Sequence, residues 1–504
     1  MGEQGKMNRR QFVNTSAAAM AATIVPRHVL GGSKFVTPSD KINVGLIGCG
    51  TQALRMIFGY LRHEKIRITS VCDCNKNSQD YPEWGRFGLR NQFRRELNDP
   101  DWGENDTGCR CGRDIGKYVV DTFYAQQAGK ESWAGVSAYE DFRDMLADEN
   151  DVDGVWVMTP EHTHGIIAYL AMQEGKHVIM HKPLSNVLSE AHILAELAKK
   201  TGLATHLYCS SDNQTTPLIK EWIDAGAIGT VREVHNWSNR PVWPQGWTEY
   251  PKETPPVPDG FNWDLWLGPA EERPYHPLYT HTNFRGWYDF GTGSMGDMGH
   301  YSSYQIWQIL ELGFPKSVEA HASHTVRMTE TLQTEKITDP PGFPLASTAH
   351  WEIPRRNGEP DIDLFWYDGG MKPPLPKELE EDGRSLDREG LLIVGDEGKL
   401  YADFSGGSPR LIPEKKMQAF DRPPKTLPRP IGELDQWIRA CEGKKPADAN
   451  FVTMQPVSDT LLLGTVGLRV PGKLYYDAEN MNITNSDEAD KLLYRKNRKG
   501  WELA

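Results

Sequence analysis

Apolar residues recur with two different periodicities along the chain, and the change from one to the other predicts two domains. Between residue 41 and about residue 208, short apolar runs alternate with segments whose apolar residues recur at helical spacing. This repetition of strand and helix predicts a doubly wound parallel sheet of the α/β class. The predicted strands are 42–47, 66–72, 154–158, 177–180 and 204–208, and the predicted helices are 51–63, 115–127, 140–147, 164–174 and 188–199.

Beyond residue 210 the rhythm becomes the two-residue alternation of half-buried strands. A helix at 217–225 and a strand at 231–238 open a second α/β domain, and later alternating runs predict an open, mostly antiparallel sheet. Those runs are 317–326, 346–353, 361–367 and 390–394, with covering helices at 433–442 and 456–470. The charged tail, 488–501, is expected to wrap the surface. The predicted domains are 38–210, with a polar insert at 75–113 expected to be a loop, and 211–504.

The first 37 residues read as an export signal. Arg9 and Arg10 are followed by an apolar, Ala-rich segment at 15–25, which is too short to span a bilayer. This pattern resembles a twin-arginine signal, which is read by a system that exports folded proteins. It predicts a periplasmic protein, and no membrane span is expected downstream.

Composition narrows the classes of partner. The net charge of −13 and the absence of a basic block disfavour nucleic acid, and the 16 Trp suit stacking on sugar rings. The seven Cys are odd in number, and their C-x-C spacings are not those of a structural zinc site, so no metal is expected. A disulfide stays open among Cys72, Cys74, Cys109 and Cys111.

Gly48, Gly50 and Ala53 form a G-x-G-x-x-A motif between the first strand and the first helix. The first glycine allows the tight turn, the second lets the backbone approach a pyrophosphate, and the small third residue lets the helix pack closely on the sheet. The helix N-terminus at Thr51 and Gln52 then offers free N–H groups to the phosphates. The context predicts a bound dinucleotide.

Asp73 follows the second strand, where a carboxylate suits the ribose 2′-OH of NAD and repels the 2′-phosphate of NADP. Arg86 and Arg90, in the insert, are the nearby residues that could offset such a phosphate. NAD is therefore the predicted cofactor.

Two further strands end in polar motifs that point to the same edge of the sheet. Thr159 and Pro160 form a turn that can shape a nicotinamide pocket, with His162 and His164 at the start of the next helix. The two histidines could reach one ion, but no carboxylate or Cys motif supports a metal there.

The next strand ends in His181 and Lys182, and a Lys at this point can hydrogen-bond a substrate hydroxyl. Farther along the chain, Asp297 precedes His300 and Tyr301 by three and four positions, so the three could share one helical face. A carboxylate beside a proton-transfer group makes a general acid/base pair.

Taken in order and spacing, these motifs resemble the Gfo/Idh/MocA family, named for glucose–fructose oxidoreductase and inositol dehydrogenase. The sequences around residues 225–229, 239–246, 263–269 and 494–501 resemble its exported bacterial branch. The resemblance implies a Rossmann domain followed by an α/β domain, a nicotinamide dinucleotide, a sugar or polyol substrate, and a homo-oligomer (dimer or tetramer) formed through the open sheet.

The resemblance also implies site residues. Those for the cofactor are Gly48, Gly50, Thr51, Gln52, Ala53, Asp73, Thr159, Pro160, His162, His164, His181, Lys182, Arg285 and Trp287. Those for the substrate are Asn239, Arg240, Trp243, Lys182, Asp297 and His300. The catalytic candidates are Lys182, Asp297, His181, His300 and Tyr301.

Two departures from the family pattern leave the proton transfer open. His181 stands where the family has Glu, and Tyr301 stands where it has His, with His300 one residue early. One residue is about 100° of helix rotation, so His300 and Tyr301 cannot do the same job in the same place.

The sequence thus predicts an exported NAD-dependent oxidoreductase that acts on a sugar, glycoside or polyol, with NAD tightly bound and regenerated in place. Lys182 would polarise the hydroxyl, and His181, His300 or Tyr301 would take its proton. Two alternatives stay open: an NAD-dependent glycoside hydrolase or lyase working by transient oxidation and elimination, and a non-catalytic sugar-binding protein.

Overall fold

A computed structural model describes residues 40–83, 85, 88–356 and 358–503. The predicted export signal at 1–37 and Arg86 lie outside the described residues.

The first domain is built on a parallel sheet, as predicted. Its strands are β1 (Ile42–Ile47), β2 (Ile66–Cys72), β5 (Ser137–Tyr139), β6 (Gly154–Val157), β7 (His177–His181) and β8 (Thr205–Tyr208). They lie in the order β5-β2-β1-β6-β7-β8, and every pair is parallel. The edge strand β5 was not predicted, because three residues are too few to show an alternating pattern. The strand order reverses between β1 and β6, where ligands bind in doubly wound sheets.

Helices cover both faces of this sheet. They are α1 (Thr51–Arg62), α3 (Arg113–Ala128), α4 (Phe142–Asp148), α5 (His164–Gln173) and α6 (Leu188–Thr201). Each predicted helix is present, with ends that differ by a few residues.

The insert at 75–113 is more structured than the predicted loop. It contains a two-stranded ribbon, β3 (Ser78–Tyr81) with β4 (Cys109–Cys111), and a helix, α2 (Gly88–Glu96). Leu89 and Phe93, one helical turn apart, are buried against the first domain together with Trp102. The insert is mostly polar in composition, and its short apolar stripe was therefore not recognised as a helix in the sequence. All seven cysteines are free thiols, which answers the question of a disulfide left open above.

The second domain carries the predicted open, mostly antiparallel sheet, in the order β17-β16-β15-β9-β14-β13-β10-β18-β19. The pair β9–β14 is parallel and the other pairs are antiparallel. The strands are β9 (Val231–Trp237), β10 (Ser317–Ala322), β13 (Ser347–Ile353), β14 (Ile362–Tyr367), β15 (Gly390–Gly395), β16 (Lys399–Ala402), β17 (Arg410–Ile412), β18 (Leu474–Asp477) and β19 (Asn482–Ile483), and a separate ribbon pairs β11 (Val326–Met328) with β12 (Thr334–Lys336).

The helices of the second domain are α7 (Thr216–Asp224), α8 (Trp263–Leu267), α9 (Gly293–Leu310), α10 (Lys377–Glu381), α11 (Glu414–Ala419), α12 (Glu433–Cys441), α13 (Phe451–Gly467) and α14 (Asp487–Lys491). Of these, α13 packs on α9, α6 and β10, and so bridges the two domains. Its start at Phe451, ahead of the predicted one, is capped by the Asn450 side chain, which accepts the N–H groups of Val452 and Thr453.

The expectation that 433–442 covers the second sheet is wrong. Helix α12 packs on β8 of the first domain, where Trp437 is fully buried and donates its indole N–H to the carbonyl of Ala204 at 3.4 Å. The amphipathic pattern of α12 showed that one face is buried, but not against which sheet. Among the described helices, none has the length and apolar character needed to span a bilayer.

Candidate active site

A cleft opens at the carboxyl ends of β1, β2, β6 and β7, at the point where the strand order reverses. Its volume is about 1200 Å³, including the open mouth. The predicted cofactor residues that line it are Gly48, Gly50, Thr51, Gln52, Asp73, Thr159, Pro160, His164, His181, Lys182 and Arg285. The fold therefore brings together residues from distant parts of the chain.

The glycine turn forms one wall of the cleft. Gly48 has a φ of +95°, and a Cβ there would lie 2.7 Å from the carbonyl carbon of Met158, so a side chain is excluded by both conformation and space. Helix α1 begins at Thr51 with no acidic residue in its first turn and no side-chain cap. Its first N–H groups and the positive end of its dipole are thus available to an anion in the cleft.

Asp73 holds this turn in shape and also lines the cleft. Its Oδ2 accepts the N–H of Cys49 at 2.7 Å, and its Oδ1 accepts the N–H of Asn75 at 2.8 Å. Burial raises the pKa of Asp73, while these two bonds favour the carboxylate and oppose the rise.

The arginines considered as partners of a 2′-phosphate are not placed for that role. Arg90 is buried in the insert and donates to the carbonyls of Gly103 at 3.1 Å and Gly108 at 2.6 Å. Arg86 lies outside the described residues. Arg113, which sequence reasoning did not consider, donates to the backbone carbonyl of Asp73 at 3.1 Å.

Three further aromatic side chains, which had no predicted role, line the cleft. Tyr81 of the insert lies against the glycine turn, since a Cβ added at Gly50 would be 3.5 Å from its ring, and His281 packs on Tyr81 with ring centroids 3.8 Å apart. Trp501 lines the cleft under the guanidinium of Arg143, 4.5 Å from its ring. The C-terminal tail is therefore part of the site rather than a surface wrap. A lone Trp in a charged tail was the signal available in the sequence.

Lys182 and Asp297 meet in a buried ion pair. The ammonium of Lys182 donates to Oδ1 of Asp297, and Nε of Arg285 donates to the same oxygen at 3.0 Å. Burial alone would raise the pKa of Asp297, but the two cations hold it well below its ordinary value. Burial lowers the pKa of Lys182, with Asp297 acting against that shift. Lys182 can therefore both polarise a hydroxyl and exchange a proton with it.

His181 and Tyr301 form a second polar pair beside Lys182. A hydrogen bond of 3.2 Å joins the Tyr301 hydroxyl and His181 Nε2, and the Lys182 ammonium lies 5.0 Å from the centre of the Tyr301 ring. Burial and the Lys182 charge lower the pKa of His181 well below its ordinary value, and burial raises that of Tyr301. At neutral pH both groups are therefore uncharged.

The expectation that Asp297, His300 and Tyr301 share one face is wrong for His300. It is fully buried, with Nδ1 2.7 Å from the Gly296 carbonyl and Nε2 3.3 Å from the Ser458 hydroxyl. Asp297 and Tyr301, four positions apart, both contact Lys182, whereas both ring nitrogens of His300 face other partners, Gly296 and Ser458. The proposed catalytic and substrate roles of His300 are therefore not supported.

Three predicted cofactor residues lie behind the cleft lining. Ala53 lies on the buried face of α1, where its small size lets the helix approach the sheet. His162 is buried with Nε2 2.8 Å from the carbonyl of Trp266, and Trp287 is buried in an aromatic cluster, stacked 5.4 Å from Trp247. These residues support the wall of the cleft instead of lining it.

His164 does line the cleft, but both its nitrogens face backbone carbonyls, those of Pro183 at 2.7 Å and Thr159 at 2.9 Å. Burial lowers the pKa of His164 to about 4 and that of His162 to about 3, so both are neutral. No three metal-ligating side chains come together within the described residues. The two histidines hold in place the turn that joins β6 to α5.

The remaining predicted substrate residues fall into two groups. Arg240 donates to Oδ1 of Asn239 at 2.5 Å and contacts Oε1 of Glu389 at 3.3 Å, so these groups bond to one another and do not line the cleft. Trp243 lines a neighbouring cavity that shares His281 with the cleft. Trp243 therefore lies next to the site, whereas Asn239 and Arg240 are not among the residues that line the cleft.

The cleft fits a nicotinamide dinucleotide. The glycine turn leaves the space that a Cβ would fill, the start of α1 offers unpaired N–H groups, and the Asp73 carboxylate lies in the cleft wall. When bound, NAD would be held by these groups and supply a hydride acceptor beside the ion pair of Lys182 and Asp297.

Comparison with known proteins agrees with this geometry. Residues 118–208 match the model of the Gfo/Idh/MocA oxidoreductase family, NAD-binding Rossmann fold, and residues 214–329 match the model of its C-terminal alpha/beta domain. The first match begins after the insert, so the glycine turn lies upstream of it.

Similar curated proteins include levoglucosan dehydrogenase of Pseudarthrobacter phenanthrenivorans, 31% identical over 21% of this chain and 29% of that protein. NAD-dependent scyllo-inositol 2-dehydrogenase of Bacillus subtilis is 30% identical over 25% of this chain and 32% of its own length. A glycosyl hydrolase family 109 protein of Saccharopolyspora erythraea is 26% identical over 40% of this chain and 39% of its own. Each match thus spans well under half of the relative.

Among solved structures, the WlbA dehydrogenase of Bordetella pertussis in complex with NADH and UDP-GlcNAcA has a TM-score of 0.51 at 16% identity. The alignment covers 87% of this chain and 98% of that one. This chain is thus similar to the Gfo/Idh/MocA oxidoreductase family over residues 118–208, which lie in the Rossmann domain, and over residues 214–329, which lie in the C-terminal α/β domain.

Proposed function

We propose that this protein is an exported NAD-dependent oxidoreductase that oxidises a ring hydroxyl of a sugar, glycoside or polyol. The observation that carries the proposal is the buried ion pair that Asp297 forms with Lys182, which lines the cleft beginning at the glycine turn. Lys182 donates a hydrogen bond to the substrate hydroxyl and lowers the cost of its deprotonation. His181, neutral and bonded to Tyr301, accepts the proton.

We further propose that NAD is retained through the catalytic cycle. Tyr81, His281 and Trp501 line the cleft, and a protein exported by the twin-arginine route works where no soluble NAD pool is expected. The cofactor would then be regenerated in the same site by a second substrate, or by return of the hydride to the first. Trp501→Ala is expected to accelerate NAD dissociation, measured by release into excess competing nucleotide. Unchanged dissociation would argue against these aromatic side chains as the cause of NAD retention.

The alternative of a glycoside hydrolase or lyase rests on the relative in glycosyl hydrolase family 109 and on the paired His181 and Tyr301. Oxidation of one ring carbon acidifies the proton on its neighbour, and a neutral imidazole beside Lys182 is suited to removing it. The non-catalytic alternative predicts sugar binding without any product.

One experiment separates these readings. The ligand released from purified protein is identified by mass spectrometry, and a panel of sugars, polyols and glycosides is then scored for ketone, cleaved sugar or neither. Lys182→Met, which keeps the length and packing of the side chain, is expected to lower turnover by ~10²–10⁴-fold while NAD still binds. Near-full activity in this variant would refute the proposed role of Lys182.

Export has its own test. Replacing Arg9 and Arg10 with Lys preserves the charge but removes the pair that the twin-arginine receptor reads, so the precursor should stay in the cytoplasm. Periplasmic accumulation equal to that of the unmodified chain would reject the assignment. Oligomerisation through the open sheet likewise stays a proposal, tested by the mass of the protein in solution.

A further inference from the structure

Glu161 is a buried carboxyl group in the cleft that the proposed mechanism does not use. It follows β6 in the turn Glu161–Thr163, only 2% of its surface is exposed, and it lines the same cleft as Lys182. In the sequence, Glu161 stands inside the Thr159–His164 motif among residues with other predicted roles, and no local pattern marks it.

One oxygen of the Glu161 carboxyl group has a hydrogen-bond partner among the described residues and the other does not. Its Oε2 accepts the hydroxyl of Thr292 at 2.6 Å, whereas its Oε1 has no hydrogen-bond partner among the described residues. Arg285 approaches Oε1 to 3.9 Å, but its Nε donates to Asp297 at 3.0 Å. A buried carboxylate oxygen without a partner is costly, and protonation of the group removes the larger cost of burying its negative charge.

The groups that face Glu161 come from three elements. Lys182 comes from the end of β7, Arg285 from the turn His281–Gly286, and Asp297 and Thr292 from α9 and its N-terminal cap. Burial raises the pKa of Glu161 to about 7; Arg285 and Lys182 act against the rise and Asp297 adds to it. Of the two carboxyl groups, Asp297 stays charged, and Glu161 is able to change its charge near neutral pH.

We propose that Glu161 stores the proton of the substrate hydroxyl while the bound nicotinamide holds the hydride. This inference rests on the proposed function. In the oxidation, the O–H and C–H bonds of the carbinol break and C=O forms; the hydride adds to the nicotinamide, and the proton, accepted first by His181, moves through the cleft past Lys182 to the Glu161 carboxylate. The return step reverses both transfers, so no outside oxidant or base is needed.

Charge balance explains why this site would use a second carboxyl group. The oxidised nicotinamide is a cation and the reduced one is neutral, so hydride transfer with loss of the substrate proton to solvent would lower the net charge of a buried site by one. Coulomb energies are large where water is excluded, and such a change is costly. If Glu161 goes from carboxylate to carboxylic acid in the same step, the net charge of the cleft stays constant.

The proposal predicts proton uptake that follows the redox state of the nucleotide. NAD⁺ and NADH are each titrated by calorimetry into protein stripped of nucleotide, in buffers of different ionisation enthalpy, near pH 7. Binding of NADH should take up more protons than binding of NAD⁺, with a difference approaching one. Over the pH range where Glu161 titrates, the ratio of NAD⁺ to NADH affinity should rise up to tenfold per pH unit.

Three variants fix the assignment. In Glu161→Gln the proton difference should vanish and the affinity ratio become flat with pH, and in Glu161→Asp, which restores a carboxyl group, the difference should return. Asp368→Asn is the matched control, because Asp368 is also buried, has a pKa raised by burial to about 6, and bonds to Ser347 and Trp366 in the second domain. It should leave the proton difference unchanged.

The outcomes separate the two proposals. Nucleotide binding without a proton difference, or a difference that survives in Glu161→Gln, overturns the role of Glu161 alone. Failure of both nucleotides to bind overturns the proposed function and this inference together.

Discussion

We expect Asp73 to have two separable roles, one in holding the glycine turn and one in choosing the nucleotide, and Asp73→Asn tests both. The carboxylate accepts two backbone N–H groups, those of Cys49 at 2.7 Å and Asn75 at 2.8 Å. An amide of the same shape can accept one of them and presents its own NH₂ to the other. One buried N–H is left unsatisfied, which costs about 1–3 kcal/mol.

The nucleotide preference should move through the lost charge. Two unit charges 4 Å apart interact by about 1 kcal/mol in water and about 4 kcal/mol at the effective dielectric of a protein surface site. The half-buried position of Asp73 lies between these limits, so removing its charge should favour NADP by roughly 1.5–3 kcal/mol relative to NAD. That is about a ten- to hundredfold change in the affinity ratio.

The assay is calorimetric titration of NAD and NADP into the unmodified protein and the variant, with thermal unfolding measured alongside. Glu140→Gln is the control, because Glu140 also lines the cleft but is exposed. It should shift the ratio less than Asp73→Asn does. Tighter binding of NADP than of NAD by the unmodified protein, or an equal shift in the control, would refute the reasoning.

Two further predictions concern buried groups. His300→Ala should lower the free energy of unfolding by about 2–4 kcal/mol, because it leaves a cavity and an unpaired Ser458 hydroxyl. Tyr301→Phe should lower turnover with a stability loss of about 1 kcal/mol. Denaturant unfolding and turnover are measured for both variants, and the opposite pattern would return proton transfer to His300. Asp368 has its folded pKa raised to about 6, so the native state binds the extra proton and stability falls as pH rises from about 4 to 6. The corresponding change is about 3 kcal/mol, and the difference in unfolding free energy between the unmodified protein and Asp368→Asn should show it, whereas a constant difference would contradict the burial of this charge.

Sequence reasoning found the residues whose positions follow from local rules. Gly48, Asp73 and Lys182 each stand at the carboxyl end of an apolar strand, and parallel strands end at the same edge of a sheet. Their meeting in one cleft was therefore predictable without coordinates. The same holds for the two sheets, since the change from helical spacing to two-residue alternation is written in the chain.

What the sequence could not supply depends on contacts between distant segments. Trp501 and Tyr81 reach the cleft from a tail and an insert whose local patterns indicate only polar surface. Trp437 is buried against the first sheet, and the apolar pattern of its helix does not indicate which sheet it packs on. Helical periodicity says which residues share a face; the packing of α9 against α13 decided that His300 turns inward while Tyr301 reaches His181.

Glu161 shows this division most clearly. The chain determines that a carboxyl group follows β6, but its charge near neutral pH depends on Arg285, Asp297 and Lys182, which come from other parts of the fold. Local sequence fixes backbone conformation because it acts through neighbouring dihedral angles and side-chain periodicity. The electrostatic character of a buried group is fixed only when folding removes its water and sets the distances to its partners.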